Sequence, residues 1–179
     1  MILDLVLPDG DGLDLCARLR DRRDAADIPV IALTGKEKLP DKLRGFAAGV
    51  DQYLVKPIDM DELVMWARAL LRRVQLDKTG GKIVKSGGLE LDAAAHTVRY
   101  RGLPVGNLTR REFELLYALV RSSPRLISRQ EVLSQIWRTV AVENLVDVHL
   151  HNLRRKLPPE VQERVQSVPG KGFRYLWWE

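Results

Sequence analysis

The chain is 179 residues long, 45% apolar, with 29 Lys+Arg against 24 Asp+Glu and a net charge of +5. That length holds one ordinary domain or two small ones, the composition excludes global disorder, and no uncharged apolar run approaches a membrane span. One cysteine, Cys16, excludes an intramolecular disulfide and a cysteine-based zinc site; with no basic-then-apolar leader, a reducing, cytoplasmic setting without a membrane partner is expected.

In the first half, strand and helix signals alternate. Ile2 to Leu7 reads as a short apolar strand interrupted by Asp4, followed by a Pro8–Gly12 loop. Leu13 to Arg23 looks helical. Ile28 to Leu33 is a buried strand that ends at Thr34-Gly35. Pro40 to Ala48 is a short helix closed by Gly49, and Gln52 to Val55 is a third strand, closed by Lys56-Pro57. Asp59 opens a helix with Glu62 three residues on, a capping-box pattern, and Leu63, Trp66, Leu70 and Val74 form its apolar stripe. Strands alternating with helices predict a parallel α/β sheet over residues 1–74.

Residues 75–81 are polar and glycine-rich and read as a linker. Residues 82–179 follow a different pattern. Leu89 to Asp92, His96 to Arg101 and Leu103 to Leu108 are short strands. Two capping boxes, Thr109/Glu112 and Ser128/Glu131, open helices, and Asn144 caps a third that runs to Leu157 before Pro158-Pro159. The chain ends in a hairpin, Val165 to Val168 and Phe173 to Trp178, around Pro169-Gly170-Lys171-Gly172. Short strands, three helices and a hairpin are the order of an α+β winged helix-turn-helix.

Charge divides the same way. Residues 1–81 hold 13 basic and 14 acidic side chains; residues 82–179 hold 16 and 10, a balance of +6. Only the second half is suited to a polyanion; a solvated basic surface is the plain alternative. On the third helix Val146, Leu150, Leu153 and Leu157 fall within about ±40° of one direction, a stripe for the core. Asn144, Val148, His151, Asn152 and Arg155 take the opposite arc, with His149 and Lys156 on one flank and Asp147 and Arg154 on the other. A helix in the major groove needs such a face: polar groups for base edges, cations beside them for phosphates. Lys171 and Arg174 give the hairpin cations of its own. An ordinary amphipathic helix is the alternative, and position in the domain favours the groove.

In a parallel sheet, ligands bind beyond the carboxyl ends of the strands. Asp4, Thr34 and Lys56 lie at three such ends. A carboxylate, a hydroxyl and an amine there suit phosphoryl chemistry, the carboxylate as acceptor. Polar strand ends with an Asp4–Lys56 ion pair are the alternative. No nucleophile is paired with a positioned base, so an enzyme acting on an external substrate is not expected.

Leu3-Asp4-Leu5-Val6-Leu7-Pro8, Ile28 to Thr34, Asp51 to Pro57, Leu108 to Leu116, Val146 to Leu150, Leu153 to Leu157 and Gly170 to Arg174 together resemble a two-component response regulator of the OmpR/PhoB class. The resemblance implies a DNA-binding transcription regulator with a receiver domain and a winged-helix effector domain. It makes Asp4 the phosphoacceptor, Thr34, Tyr53 and Lys56 the phosphate switch, and Asp4 with the Val6 carbonyl magnesium ligands. It makes Asn144 to Leu157 the recognition helix, with double-stranded DNA and a sensor histidine kinase as partners. Residues 41–74 would form a homodimer face, and Trp137 to Glu143 a loop presented to RNA polymerase. A phosphorylation-driven dimerisation module, with DNA binding secondary, is the competing emphasis.

Against the family pattern, the chain opens inside the third receiver strand and lacks the preceding acidic pair that helps hold Mg2+. The expectation is magnesium in an intact receiver, none in this fragment, and inefficient phosphorylation of Asp4. His151, Asn152 and Pro169 stand where the family often has arginine, so the operator cannot be borrowed from relatives.

Overall fold

The computed structural model describes residues 1–8, 10–22, 25, 28–35, 44–80, 83–137 and 144–177, the side chains of 72–80 excepted. The predicted helix residues 40–43, the loop residues 138–143 and Trp178 lie outside the described residues. Two compact units divide the chain, Met1–Thr79 and Gly80–Glu179.

The first unit is built on a parallel sheet ordered β1 (Ile2–Asp4), β4 (Ile31–Thr34), β5 (Gln52–Val55). Asp4 pairs with Leu33 and Thr34 with Val55, so the three strands end side by side. Leu3, Val30, Ile31, Ala32, Val50 and Leu54 supply its core, with Cys16 of helix α1 (Gly12–Asp21). The expected Ile2–Leu7 strand is two. Asp4 Oδ1 accepts the Val6 N–H at 3.1 Å, a local turn that lifts the chain out of the sheet. Val6–Leu7 (β2) then pairs antiparallel with Gly10–Asp11 (β3). Asp11, expected in a loop, caps α1 by accepting from Leu13 N–H. The strand expected from Ile28 begins at Ile31, because Ile28 and Pro29 lead into it: the Ile28 N–H turns back to Ala25 O, and proline has no N–H to give.

A buried ion pair ties this unit together. Arg20 and Asp51 are 6% and 3% exposed and meet at 3.0 Å. The same guanidinium donates to Gly49 O at 2.9 and 2.7 Å and to Ile28 O at 2.7 Å, while Asp51 accepts the Val30 N–H at 2.8 Å. Every lone pair so occupied offsets the cost of burying the charges. Helix α2 (Met60–Gly80) outruns its expected end at Val74, because Gln75 to Lys78 are all compatible with a helix. Its stripe residues Leu63, Trp66 and Leu70 are only half-buried.

The second unit opens with an antiparallel meander of β6 (Ile83–Ser86), β7 (Leu89–Asp92), β8 (Thr97–Tyr100) and β9 (Leu103–Pro104). β6 escapes the sequence pattern, since its residues alternate only between exposed and half-buried. β9 is much shorter than the expected Leu103–Leu108. Three helices follow: α3 (Arg110–Arg121), α4 (Arg129–Glu131, continuing as a π turn over Val132–Ile136) and α5 (Asn144–Lys156). The expected α+β order holds.

Thr109 and Glu112 make the reciprocal box, with Thr109 N–H on Glu112 Oε2 at 2.7 Å. Ser128 caps α4, but Glu131 turns its carboxylate to Arg125 at 2.7 Å, so that box is half made. Pro158-Pro159 ends α5 and starts a further short helix, α6 (Pro159–Gln162), with proline at the first position where no N–H is needed.

The hairpin β10 (Val165–Val168) and β11 (Gly172–Tyr175) is joined to the helices by Ile127, which exchanges two backbone hydrogen bonds with Phe173 at 2.8 and 2.9 Å. Gly172 sits at that junction with φ +136°, and a Cβ there would run into the Ile127 carbonyl and lie 2.9 Å from Ser128 Cα. Gly172→Ala is therefore expected to lower unfolding stability by at least ~1–3 kcal/mol, measured by urea denaturation against Gly170→Ala, where nothing lies within 4 Å.

Candidate functional site

Helix α5 is fixed by its apolar stripe: Val146, Leu150, Leu153 and Leu157 are 0, 2, 0 and 6% exposed. Leu145 widens the stripe at 0%. On the far arc Asn144, His151 and Arg155 are exposed, and Val148 and Asn152 half-buried. Three of the five residues expected to meet solvent do so fully, and two are partly covered.

On the flanks His149 is buried, and Lys156, Arg154 and Asp147 are partly exposed and engaged with partners in the domain. His149 is 1% exposed and packs edge-on against Trp137, ring centroids 5.0 Å apart. It does not border a DNA face, because the third-helix stripe is one column wider than the four-residue pattern suggested. Lys156 donates to Glu112 Oε2 at 2.8 Å and Asn107 O at 2.9 Å, locking α5 to the capping box of α3. Arg154 donates to Val165 O at 2.8 Å and Ser167 Oγ at 3.0 Å, tying α5 to the hairpin. Burial lowers its pKa from the ordinary arginine value. Both cations are engaged within the domain rather than held out for phosphates. Arg174 bonds Gln166 Oε1 across the hairpin at 3.1 and 3.2 Å and is half-buried, whereas Lys171 at the turn is exposed.

Trp137, expected to open a loop for RNA polymerase, is also core. It is 1% exposed between His149 and the Arg111 guanidinium, which lies 4.9 Å from its ring centroid. The π turn places it there: Trp137 N–H reaches Val132 O, five residues back, at 2.8 Å.

In the first unit the three strand ends converge as expected. Asp4 and Lys56 form a direct ion pair with side chains 36% and 44% exposed. Lys56 N–H bonds Thr34 O at 2.7 Å, which fixes the amine's root beside β4. The Lys56 ammonium, and after it the Val6 N–H, hold the Asp4 carboxyl below the usual carboxylate range. Thr34 is 0% exposed. Tyr53 is turned inward at 9%, its ring 6.1 Å from Phe46.

Residues 1–68 match the family described as "Response regulator receiver domain", and residues 104–175 match "Transcriptional regulatory protein, C terminal". The chain is 35% identical over 176 residues to the response regulator ArlR of Staphylococcus aureus, covering 97% of this chain and 77% of that protein. It is 34% identical over 178 residues to the transcriptional regulatory protein TrcR of Mycobacterium tuberculosis, covering 97% and 67%. The chain belongs to the OmpR/PhoB class of response regulators. Among solved structures, a C128S mutant of RitR superposes on this response regulator with a TM-score of 0.74 at 25% identity, covering 97% of this chain and 77% of that one.

Receiver domains of this class generally bind Mg2+ at the phosphorylation site. The described residues of this regulator do not assemble such a site. Among the described residues Asp4 is the one carboxylate at the ends of β1, β4 and β5, and its oxygens already face Lys56 and the Val6 N–H. Among the described residues no group of three or more His, Cys, Asp or Glu could hold a metal. Magnesium takes near-octahedral oxygen ligation and keeps several waters, so Asp4 and the Val6 carbonyl would supply two of its ligands at most, and Asp4 only by giving up the Lys56 ammonium.

Local sequence gave no sign of several residues that build the effector's site. Glu112 reads as a cap and is also the partner of Lys156, 44 positions away. Arg129 reads as a first-turn helix residue and holds Asp147. Arg110 and Arg111 look like surface cations and are 4% and 2% exposed.

Two measurements check these assignments. Lys156→Met leaves Glu112 with a lost charged partner in the interior, so unfolding stability should fall by roughly 1.5–3 kcal/mol in urea titration. For Asp4, Lys56→Ala should return the carboxyl pKa towards its ordinary value, read by carboxyl-carbon NMR. A depressed folded-state pKa means that the pair stabilises the fold above the ordinary carboxylate pKa and loses that contribution as pH falls through the folded value.

Proposed function

We propose that this response regulator reads duplex DNA by laying α5 in the major groove, with the β10–β11 hairpin against the backbone. The observation that carries the reading is the split of α5. Its inward column is sealed, and its outward arc carries Asn144, His151 and Arg155 exposed and Val148 and Asn152 half-buried. Asn152 suits the N6/N7 edge of adenine, Val148 a thymine methyl, and Arg155 and Lys171 the phosphates. Asn144 and His151 add hydrogen-bonding groups at either end of the arc. Arg174 and Arg154 act on the hairpin and not on the groove floor.

Asp4 is the phosphoacceptor in this reading. A carboxylate oxygen would attack phosphorus and the donor's leaving group would depart with the bonding electrons. Lys56 would then pair with the new phosphoryl oxygens, and Thr34 and Tyr53 would respond to the added charge. A sensor histidine kinase is the donor class. The surface from 44 to 71, where Val64, Met65 and Leu71 are 38, 56 and 56% exposed, supports a second copy of the chain as partner. Residues 41–43 of that face lie outside the described residues.

The test uses the full chain. Fluorescence anisotropy with a mixed-sequence duplex should show binding that weakens as salt rises, with Arg155→Ala lowering the log–log salt slope by about one. Asn152→Ala should instead change sequence preference, by roughly 1–3 kcal/mol at the position it reads. Absence of salt-dependent binding at low ionic strength would overturn the DNA reading. Incubation with a small acyl phosphate and Mg2+ should phosphorylate only a small fraction of the chain, and that fraction should vanish in Asp4→Asn; a mass gain that persists in Asp4→Asn would remove Asp4 from its role.

A further inference from the structure

Helix α5 carries an acidic residue where a DNA-binding helix can least accommodate one. Asp147 lies in its first turn, on the flank beside the arc of Asn144, His151 and Arg155. Its side chain is 45% exposed. A carboxylate in a first helical turn is favourable for the free protein, because it faces the positive end of the helix dipole. Against a duplex the same carboxylate would repel the phosphate wall.

Arg129 covers it. The guanidinium makes two parallel bonds, Nε to Asp147 Oδ2 at 2.8 Å and Nη2 to Oδ1 at 2.7 Å. Its Cζ lies 4.7 Å from the Phe173 ring centroid, a cation–π contact with a residue that is 0% exposed. Phe173 is itself held to Ile127 by two backbone hydrogen bonds, and Ser128 caps the helix that Arg129 begins. Three elements therefore converge on one guanidinium: the start of α4, the first turn of α5 and strand β11. The arginine is fixed from behind by Phe173, so its fork is pre-set for the carboxylate.

Solvent screens this partly exposed pair, so its contribution to stability is limited even with two parallel bonds. Its position suggests another use. We propose that Arg129 is a positioning residue for DNA binding, which acts by cancelling the Asp147 charge at the junction of recognition helix and hairpin so that this flank can approach the phosphate backbone. The inference rests on the DNA reading given above.

The experiment is an anisotropy titration of the full-length chain with the same duplex at several salt concentrations. Arg129→Gln uncovers Asp147 and should weaken binding about ten-fold at low salt, with the penalty shrinking as salt screens the repulsion. Thermal unfolding of that variant should stay close to the parent. Arg129→Gln/Asp147→Asn removes both charges and should restore most of the lost affinity. If Arg129 contacted a phosphate directly, the double variant would bind as weakly as Arg129→Gln, and that result overturns the proposal. Equal binding by the parent and Arg129→Gln also overturns it. If the parent itself binds no duplex, the DNA reading fails first and this inference with it. If Arg129→Gln unfolds, the double variant carries the decision: parent-like binding supports charge cancellation, and weak binding by a folded double variant refutes it.

Discussion

The effector domain depends on one buried carboxylate. Glu112 is 1% exposed, and it accepts the Thr109 N–H that starts helix α3 and the Lys156 ammonium that ends helix α5. A cap alone would define one helix. Shared with a lysine 44 residues on, it fixes the angle at which helix α5 leaves the core. A buried charge tolerates this only when it is fully satisfied, so the geometry has little freedom. The outward arc of α5 is aimed by that constraint more than by its own sequence.

The same logic runs through the surrounding cations. Arg154 holds the hairpin, Arg111 stacks on Trp137, and Arg129 holds Asp147. A domain with a balance of +6 thus commits several of its positive groups to its own architecture. What faces outward on α5 is a polar strip with Arg155 as its cation, and Lys171 at the hairpin turn.

Much of this was legible in the residues. The order of elements, the Thr109 box, the four-residue stripe of α5 and the convergence of Asp4 and Lys56 all follow from periodicity and strand ends. Local pattern could not separate a flank that meets solvent from one that meets another element. His149 and Lys156 occupy the same side of the wheel as solvent-facing groups would, and only Trp137 and Glu112, brought in by tertiary packing, decide where they go. Likewise the Ile2–Leu7 run is apolar enough for one strand, but the Asp4 side chain bonds the Val6 N–H and breaks it. Side chain–backbone competition of this kind leaves no periodic signature.

The π turn at Val132–Ile136 has an evolutionary consequence. It carries one residue more than an α-helical path would, and that surplus sets the direction of Trp137. Removing a single residue there would rotate everything downstream by about 100° and swing the indole away from Arg111 and His149. Point changes along the segment alter only packing. Insertions and deletions undo the alignment itself, so descendants of this chain should keep the tally of positions across 132–136 constant, with Val132 and Leu133 held apolar by their burial.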